Sequence, residues 1–223
     1  MKNDESTASQ EPRLRRDAVS NAAKISRAAA EAFARRGLDV SMADVAELAG
    51  VGVGTVYRRF GSKDALIDRL FLDKVDEIIS ITESAAGGDD AGEAFLGFVS
   101  ATCELLAGNK GLRQLMLGST NHSAEFGVVA TTRLMPRLQE LTDRAKAAGW
   151  LRESFAANDF SLIALAVHGV SDFAGDEHPD LWRRTLRMMI DGIRLGIDEV
   201  NVPTPPPLTD DEVVTQAVNG GGR

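Results

Sequence analysis

Residues 41–66 read SMADVAELAGVGVGTVYRRFGSKDAL, and the spacing of apolar residues and glycines in this stretch decides the fold. Met42, Val45, Ala46 and Ala49 recur at steps of three and four. They predict a short helix with one buried face. Ser41 stands before it as a cap, and Asp44 three residues on completes a capping-box pattern. Gly50-Val51-Gly52 predicts a tight turn. A second short helix is predicted over about 53–60, with Val56 and Phe60 on one face at i, i+4. Gly61 interrupts the chain, and Ser62 caps a long helix in which Leu66, Leu70, Ile78 and Ile79 face inward.

Two short helices joined by a glycine turn, the second rich in polar side chains, form a helix-turn-helix pattern. The second helix carries Thr55, Tyr57, Arg58 and Arg59 within five residues, and Lys63 opens the next helix. A hydroxyl, a phenol and three cations suit contacts to phosphates and base edges. Gly52 and Gly54 leave the start of that helix without bulk, so its backbone can approach a duplex closely. The same spacing also suits a plain helical hairpin with a solvated basic face.

Outward from this stretch the helical period continues. Ala18, Ala22, Ile25, Ala29 and Phe33 make one apolar stripe on a helix over about 14–36, which Gly37 ends. Downstream, helices are predicted over 92–107, 111–118, about 125–148, 158–174 and about 180–199. Pro136 either kinks the third of these or marks its true start. Residues 158–174 are apolar almost all round, which predicts burial on two sides. Strand-like alternation is absent. The expected fold is all-α, with a flexible arm over 1–13 and a DNA-binding domain over 14–62. A helical effector-binding and dimerisation domain follows over 63–200, and a proline- and glycine-rich tail over 201–223.

Composition narrows the class. The chain has 223 residues, 43% hydrophobic but only 5% aromatic, so its core is mostly aliphatic. One cysteine, Cys103, rules out an intrachain disulfide and fits a reducing compartment. No apolar run suits a membrane span, and the polar N-terminus lacks a secretory h-region. A cytoplasmic protein is expected. The net charge is −8, yet residues 1–70 hold 12 Lys and Arg against 10 Asp and Glu. The remaining 153 hold 13 against 23. The acidic excess lies away from the helix-turn-helix.

The stretch from Ser41 to Leu66, with its A-G-V turn, then G-T-V-Y-R-R-F and S-K-D-A-L, resembles the signature of the TetR family of bacterial transcription regulators. Ala28 to Gly37, A-A-x-x-x-F-A-x-x-G, is similar to that family's first helix. The resemblance covers about residues 18–72. Gly52 stands where the family often has serine, Val53 where many members are polar, and Gly61 where proline is common. The resemblance implies roles residue by residue. Ser41 and Met42 would sit by the DNA backbone, while Thr55, Tyr57 and Lys63 would contact phosphates. Val53 and Arg58 would face the major groove with Gly54 between helix and bases. Arg59 would reach phosphate or base.

The resemblance also implies a repressor that leaves a pseudo-palindromic operator when a small molecule binds. The effector would be apolar or amphipathic, given the aliphatic core. Candidate cavity walls are Phe98, Leu106, Leu115, Met116, Met135, Leu138 and His168, residues that equally suit plain core. The last two helices would pair with those of a second copy. Val167, Val170, Met189, Gly192, Ile193 and Gly196 are the candidate dimer residues.

Catalysis finds little support. The chain lacks a G-x-S-x-G elbow, a P-loop and a dinucleotide fingerprint. Gly50 to Gly54 follows a helix rather than a strand. His122, His168, His178 and Cys103 are too scattered for a metal site, so no cofactor is expected. The alternative reading is a helical ligand-binding or scaffolding protein that never meets DNA. An activator or architectural DNA binder also fits, since the sign of regulation depends on where the operator lies.

Overall fold

The computed structural model describes residues 10–116, 128–194, 206–209 and 212. Its α-helices are α1 (Gln10–Arg36), α2 (Met42–Ala49), α3 (Val53–Phe60), α4 (Lys63–Ala86), α5 (Ala91–Ala107), α6 (Lys110–Met116), α7 (Met135–Ala147), α8 (Phe160–Ala174) and α9 (Leu181–Ile193). No strand occurs among the described residues, only an isolated bridge between Leu151 and Arg194. The fold is all-α, as the periodicity predicts.

The first helix is longer than expected. It starts at Gln10, inside the expected arm. Pro12 is tolerated there because the first N–H groups of a helix have no partner to lose. Ile25, Ala29 and Phe33 form its buried stripe. Gly37 ends it at φ 79°, its N–H donating to the Phe33 carbonyl at 2.9 Å. A Cβ on Gly37 would also collide with Oε1 of Gln114 on α6. Gly37→Ala should therefore cost roughly 1–2 kcal/mol for the left-handed backbone alone, more with the clash. A urea midpoint equal to the wild type would contradict this.

α1, α2 and α3 form a small bundle, with Val45 and Val56 fully buried between them. α4 carries the core onward. Leu66 and Ile67 are buried near its start, and Phe71, Val75, Ile78 and Ile79 farther along. Leu70 is only half-buried. α4 meets α1 and α3 early, then α5 and α7. It is thus a long rigid element shared by both halves.

Pro136 marks a start. Residues Ala130–Leu134 form a π-helical turn, and the α-helix begins at Met135 with the proline in its first turn. A proline has no N–H and clashes with the carbonyl four residues back, so the ladder widens ahead of it. α8 and α9 pack side by side. Arg183 ties them to α5 through Glu104 at 2.7 Å. Gly92 on α5 accepts the indole of Trp150, which leaves no room for a Cβ.

Candidate nucleic-acid interface

The α2–α3 hairpin is built by backbone chemistry. Asp44 N–H donates to Ser41 Oγ at 3.1 Å, and Ser41 N–H donates to Asp44 Oδ2 at 2.8 Å. The Ser41 hydroxyl, which also donates to that carboxylate, then the Ser41 N–H and the neighbouring Arg36, hold the Asp44 carboxyl below its usual range. Gly50 ends α2 in the left-handed conformation, φ 66°, and Val51 N–H returns to the Ala46 carbonyl at 3.0 Å. That left-handed residue turns the chain sharply enough to set α3 across α2. Gly52 caps α3 without a side-chain bond.

α3 then presents one face outward. Val53 is 44% and Tyr57 51% exposed. Arg58 and Arg59 are exposed, and Thr55 is half-buried. A Cβ on Gly54 would meet nothing within 4 Å, so the helix surface there is open. Lys63 opens α4 beside the Ser62 cap, whose Oγ accepts from Ala65 N–H at 3.1 Å. The N–H groups that the Ser62 cap leaves, with a lysine on the first turn, can meet an anion. Ser41 is exposed. Met42 lies on the buried face, as its spacing predicts, with its side chain 4% exposed. Being the first helical residue, it has only its backbone N–H to offer a phosphate.

Charge pairing sorts the cations of this half. Arg35 and Arg36 are engaged by Glu31 and Asp44. Arg58, Arg59, Lys63 and Arg69 form no ion pair with any described residue. Arg59 and Arg69 also line a cavity of about 490 Å³ with Ala22, Ala23, Ser26, Phe60 and Ala65. Arg69 and Ser26 were not singled out by sequence. They lie on α4 and α1, and only the packing of those helices against the end of α3 brings them beside Arg59.

Behind this face lies the C-terminal interior. Phe98, Leu106, Leu115 and Leu138 are buried in one continuous core, and Met135 packs on it half-buried. The Met116 side chain is outside the described residues. Thr102, unremarked in the sequence, is fully buried on α5, and its hydroxyl has no hydrogen-bond partner. By contrast, the buried Thr82 and Thr142 each donate to the carbonyl four residues back. The Cys103 thiol is pushed up to about 12 by burial, which leaves it protonated and inert.

His168 is not an open wall. Its Nδ1 accepts from Arg113 Nε at 3.2 Å and lies 3.6 Å from Asp172 Oδ2. Burial lowers its pKa, Asp172 opposes that shift and Arg113 adds to it. Since folding lowers the imidazole's pKa, the unfolded chain binds more protons as the pH falls through 6.5. Stability should therefore fall as the pH drops from about 7.5 to about 5.5. His168→Gln should flatten that slope, and denaturant midpoints across the range test it.

The outer face of α8 and α9 differs from the expected one. Val167 is fully buried within the chain, because α8 turns Phe160, Ile163, Ala164 and Val167 inward. Val170, Met189 and Ile193 are half-buried against the same core. Gly192 is exposed with open space around it, and Gly196 lies outside the described residues. The side chains that do face outward are Leu162 at 49%, Leu165 at 45%, Phe173 at 86% and Met188 at 59% exposed.

No helix among the described residues is long and apolar enough to cross a membrane. No curated protein matches the sequence. Among solved structures, a TetR transcription regulatory protein from Mycobacterium vanbaalenii is 28% identical. It aligns over 82% of this chain and 99% of its own, at a TM-score of 0.54. The TetR regulator SCO0520 from Streptomyces coelicolor is 24% identical over 78% of this chain and 98% of its own, at 0.52. The TetR family regulator PfmR from Thermus thermophilus is 21% identical over 78% and 99%, at 0.62. The last two bear on the fold alone. Residues 25–70 match the domain described as bacterial regulatory proteins, tetR family. Residues 90–195 match the transcriptional regulator SbtR-like C-terminal domain. With an all-helical fold, an outward-facing helix-turn-helix and both domain matches in order, the chain belongs to the TetR family of bacterial transcription regulators.

Proposed function

We propose that this protein is a homodimeric repressor that holds a pseudo-palindromic operator with α3 of each protomer and releases it when a small molecule enters the C-terminal helices. The observation that carries the reading is the outward face of α3. It combines Val53, open space at Gly54 and Tyr57 with Arg58, Arg59 and Lys63, which form no ion pair with any described residue. Arg58 offers a planar fork to guanine O6 and N7, and Val53 an apolar contact to a thymine methyl. Thr55, Tyr57 and Lys63 take phosphates. Arg59 and Arg69 take a further phosphate at their shared cleft. The plain-hairpin alternative leaves the convergence of Arg59 and Arg69 on one cleft without a role.

The dimer reading draws support from the outward apolar face of α8 and α9. Two such faces, paired about a two-fold axis, would set the recognition helices one helical turn apart, about 34–36 Å. The test is selection from a random duplex library by the purified protein, followed by binding across a salt series. The expected product is an inverted repeat, with log affinity falling linearly in log salt. A protein that selects nothing and binds every duplex alike would refute the reading.

The effector enters among α5, α6, α7 and α8. The unpaired Thr102 hydroxyl in an otherwise aliphatic core favours a molecule with an apolar body and one polar atom. A ligand acts only by binding one arrangement better than the other. α4, which spans both halves, is the element to tilt and so change the spacing of the recognition helices. By reciprocity, operator DNA must weaken effector binding by the same factor that the effector weakens DNA binding. Calorimetry of a candidate effector with and without operator checks this, and equal affinity in both would remove the release mechanism.

A further inference from the structure

Among the described residues, Arg113 is the buried charge. It sits on the short helix α6 with its side chain 7% exposed. Its guanidinium makes four hydrogen bonds. Nη1 donates to the carbonyls of Leu106 at 2.9 Å and Ala107 at 2.6 Å, at the C-terminus of α5. Nε donates to His168 Nδ1 at 3.2 Å, and Nη2 to Asp172 Oδ1 at 2.7 Å, both on α8. A buried guanidinium is costly to desolvate, and an apolar side chain would fill the same space more cheaply. What the cation provides is directional: it fixes α6 to both α5 and α8 by a planar fork.

The next residue engages the other half of the molecule. Gln114 Oε1 accepts from Leu38 N–H at 2.7 Å, in the link between α1 and α2. It lies where a Cβ on Gly37 would be. Gly111, one turn back, lies against the Phe33 carbonyl and the Phe71 ring with no slack, a Cβ there reaching the carbonyl at 3.0 Å. Leu38 is three residues before Ser41, the cap of α2. At the opposite end of the path, Asp172 precedes Phe173, the most exposed apolar side chain of the outward face. A chain of direct contacts thus runs from the face of α8, through Asp172 and Arg113, to Gln114 and the start of the DNA-reading hairpin.

We infer that Arg113 is a positioning residue for DNA binding: with Asp172 and Gln114 it locks the hairpin in register with α8, so that pairing of two protomers dictates the spacing of their recognition helices. This rests on the dimeric, DNA-binding reading above. Contiguity alone does not establish coupling, so the test must measure an energy shared between the two ends.

Asp172→Asn removes the negative charge that faces Arg113 from a half-exposed position, and Gln114→Ala cuts the path at its other end. Both should remain dimers by sedimentation and bind a duplex carrying one half-site within about twofold of wild type. On the full operator each should lose about tenfold. Insertion of one base pair between half-sites, strongly unfavourable for the wild type, should cost the variants less. The double variant should lose little more than either single one, because the two act on one path. Amide exchange at Leu38 should quicken in Asp172→Asn although the substitution is on another helix. Global destabilisation would weaken full and half-site duplexes alike and leave spacing preference unchanged. A wild type with strict spacing that Asp172→Asn retains, or losses that simply add, overturns the inference while leaving the regulator reading intact. A wild type with no spacing preference at all overturns both.

Discussion

Charging the outward face of α8 is expected to give a folded monomer that has lost its operator. In Leu165→Glu/Phe173→Glu, two carboxylates replace side chains 45% and 86% exposed in the protomer. Neither contributes to the protomer's buried core, so the helical spectrum and urea midpoint should stay near wild type. In a dimer both carboxylates would be desolvated against apolar surface, which only a paired charge survives. The DNA consequence is large because the second hairpin binds as a tethered module. Linking two sites raises affinity by about 10²–10⁴ without any new contact. The monomer should lose that factor on the palindrome while binding a single half-site as the wild type does. Sedimentation and paired titrations decide it. A double variant that stays dimeric would place the interface elsewhere. Val167→Glu is a useful contrast: that side chain is fully buried, so the charge should unfold the protomer rather than split a dimer.

Arg58→Ala is expected to have the next largest effect. Arg58 is exposed on α3 and forms no ion pair with any described residue, so its removal leaves no partner unsatisfied and should not change stability. Loss of a bidentate base contact costs about 1–3 kcal/mol. Two half-sites make that roughly 2–6 kcal/mol on the operator if the sites are independent. Preference at one base pair per half-site should relax in the same variant. Lys63→Ala should behave differently, weakening all duplexes alike and lowering the salt slope by about one per protomer. Arg69→Ala should resemble Lys63→Ala, and only on duplexes long enough to carry the flanking phosphate. If Arg58→Ala lowered affinity without altering base preference, the arginine would be a phosphate contact and the docking of α3 would need turning.

The outward face of α3 was legible because its determinants are local. The Ser41–Asp44 box, the left-handed Gly50 and the Ser62 cap depend on residues within a few positions of one another. With Val56 buried at the centre of α3, Tyr57 and Arg58 are left outward, and Val53 in the first turn is also exposed. Met42 shows that a residue at a helix start can serve the core with its side chain and leave its backbone N–H outward. The Arg59–Arg69 cleft was not legible, since it needs three helices to meet.

What the sequence by itself determined was the periodicity: an all-α chain, its helix starts and stops, and a hairpin with a basic outer face. Caps, left-handed glycines and apolar stripes act over one or two turns, so a single strand of text contains them. Only the tertiary structure decided which of two apolar faces of α8 points inward. Phe160, Ile163, Ala164 and Val167 on one side and Leu162, Leu165 and Phe173 on the other are equally apolar. Hydrophobicity is non-directional, so a helix apolar all round carries no mark of its inner side. The choice falls to the shape of the core built by α5 and α9. The burial of Arg113 was decided in the same way: a cation goes inside only where carbonyls, a carboxylate and an imidazole from distant segments converge on it.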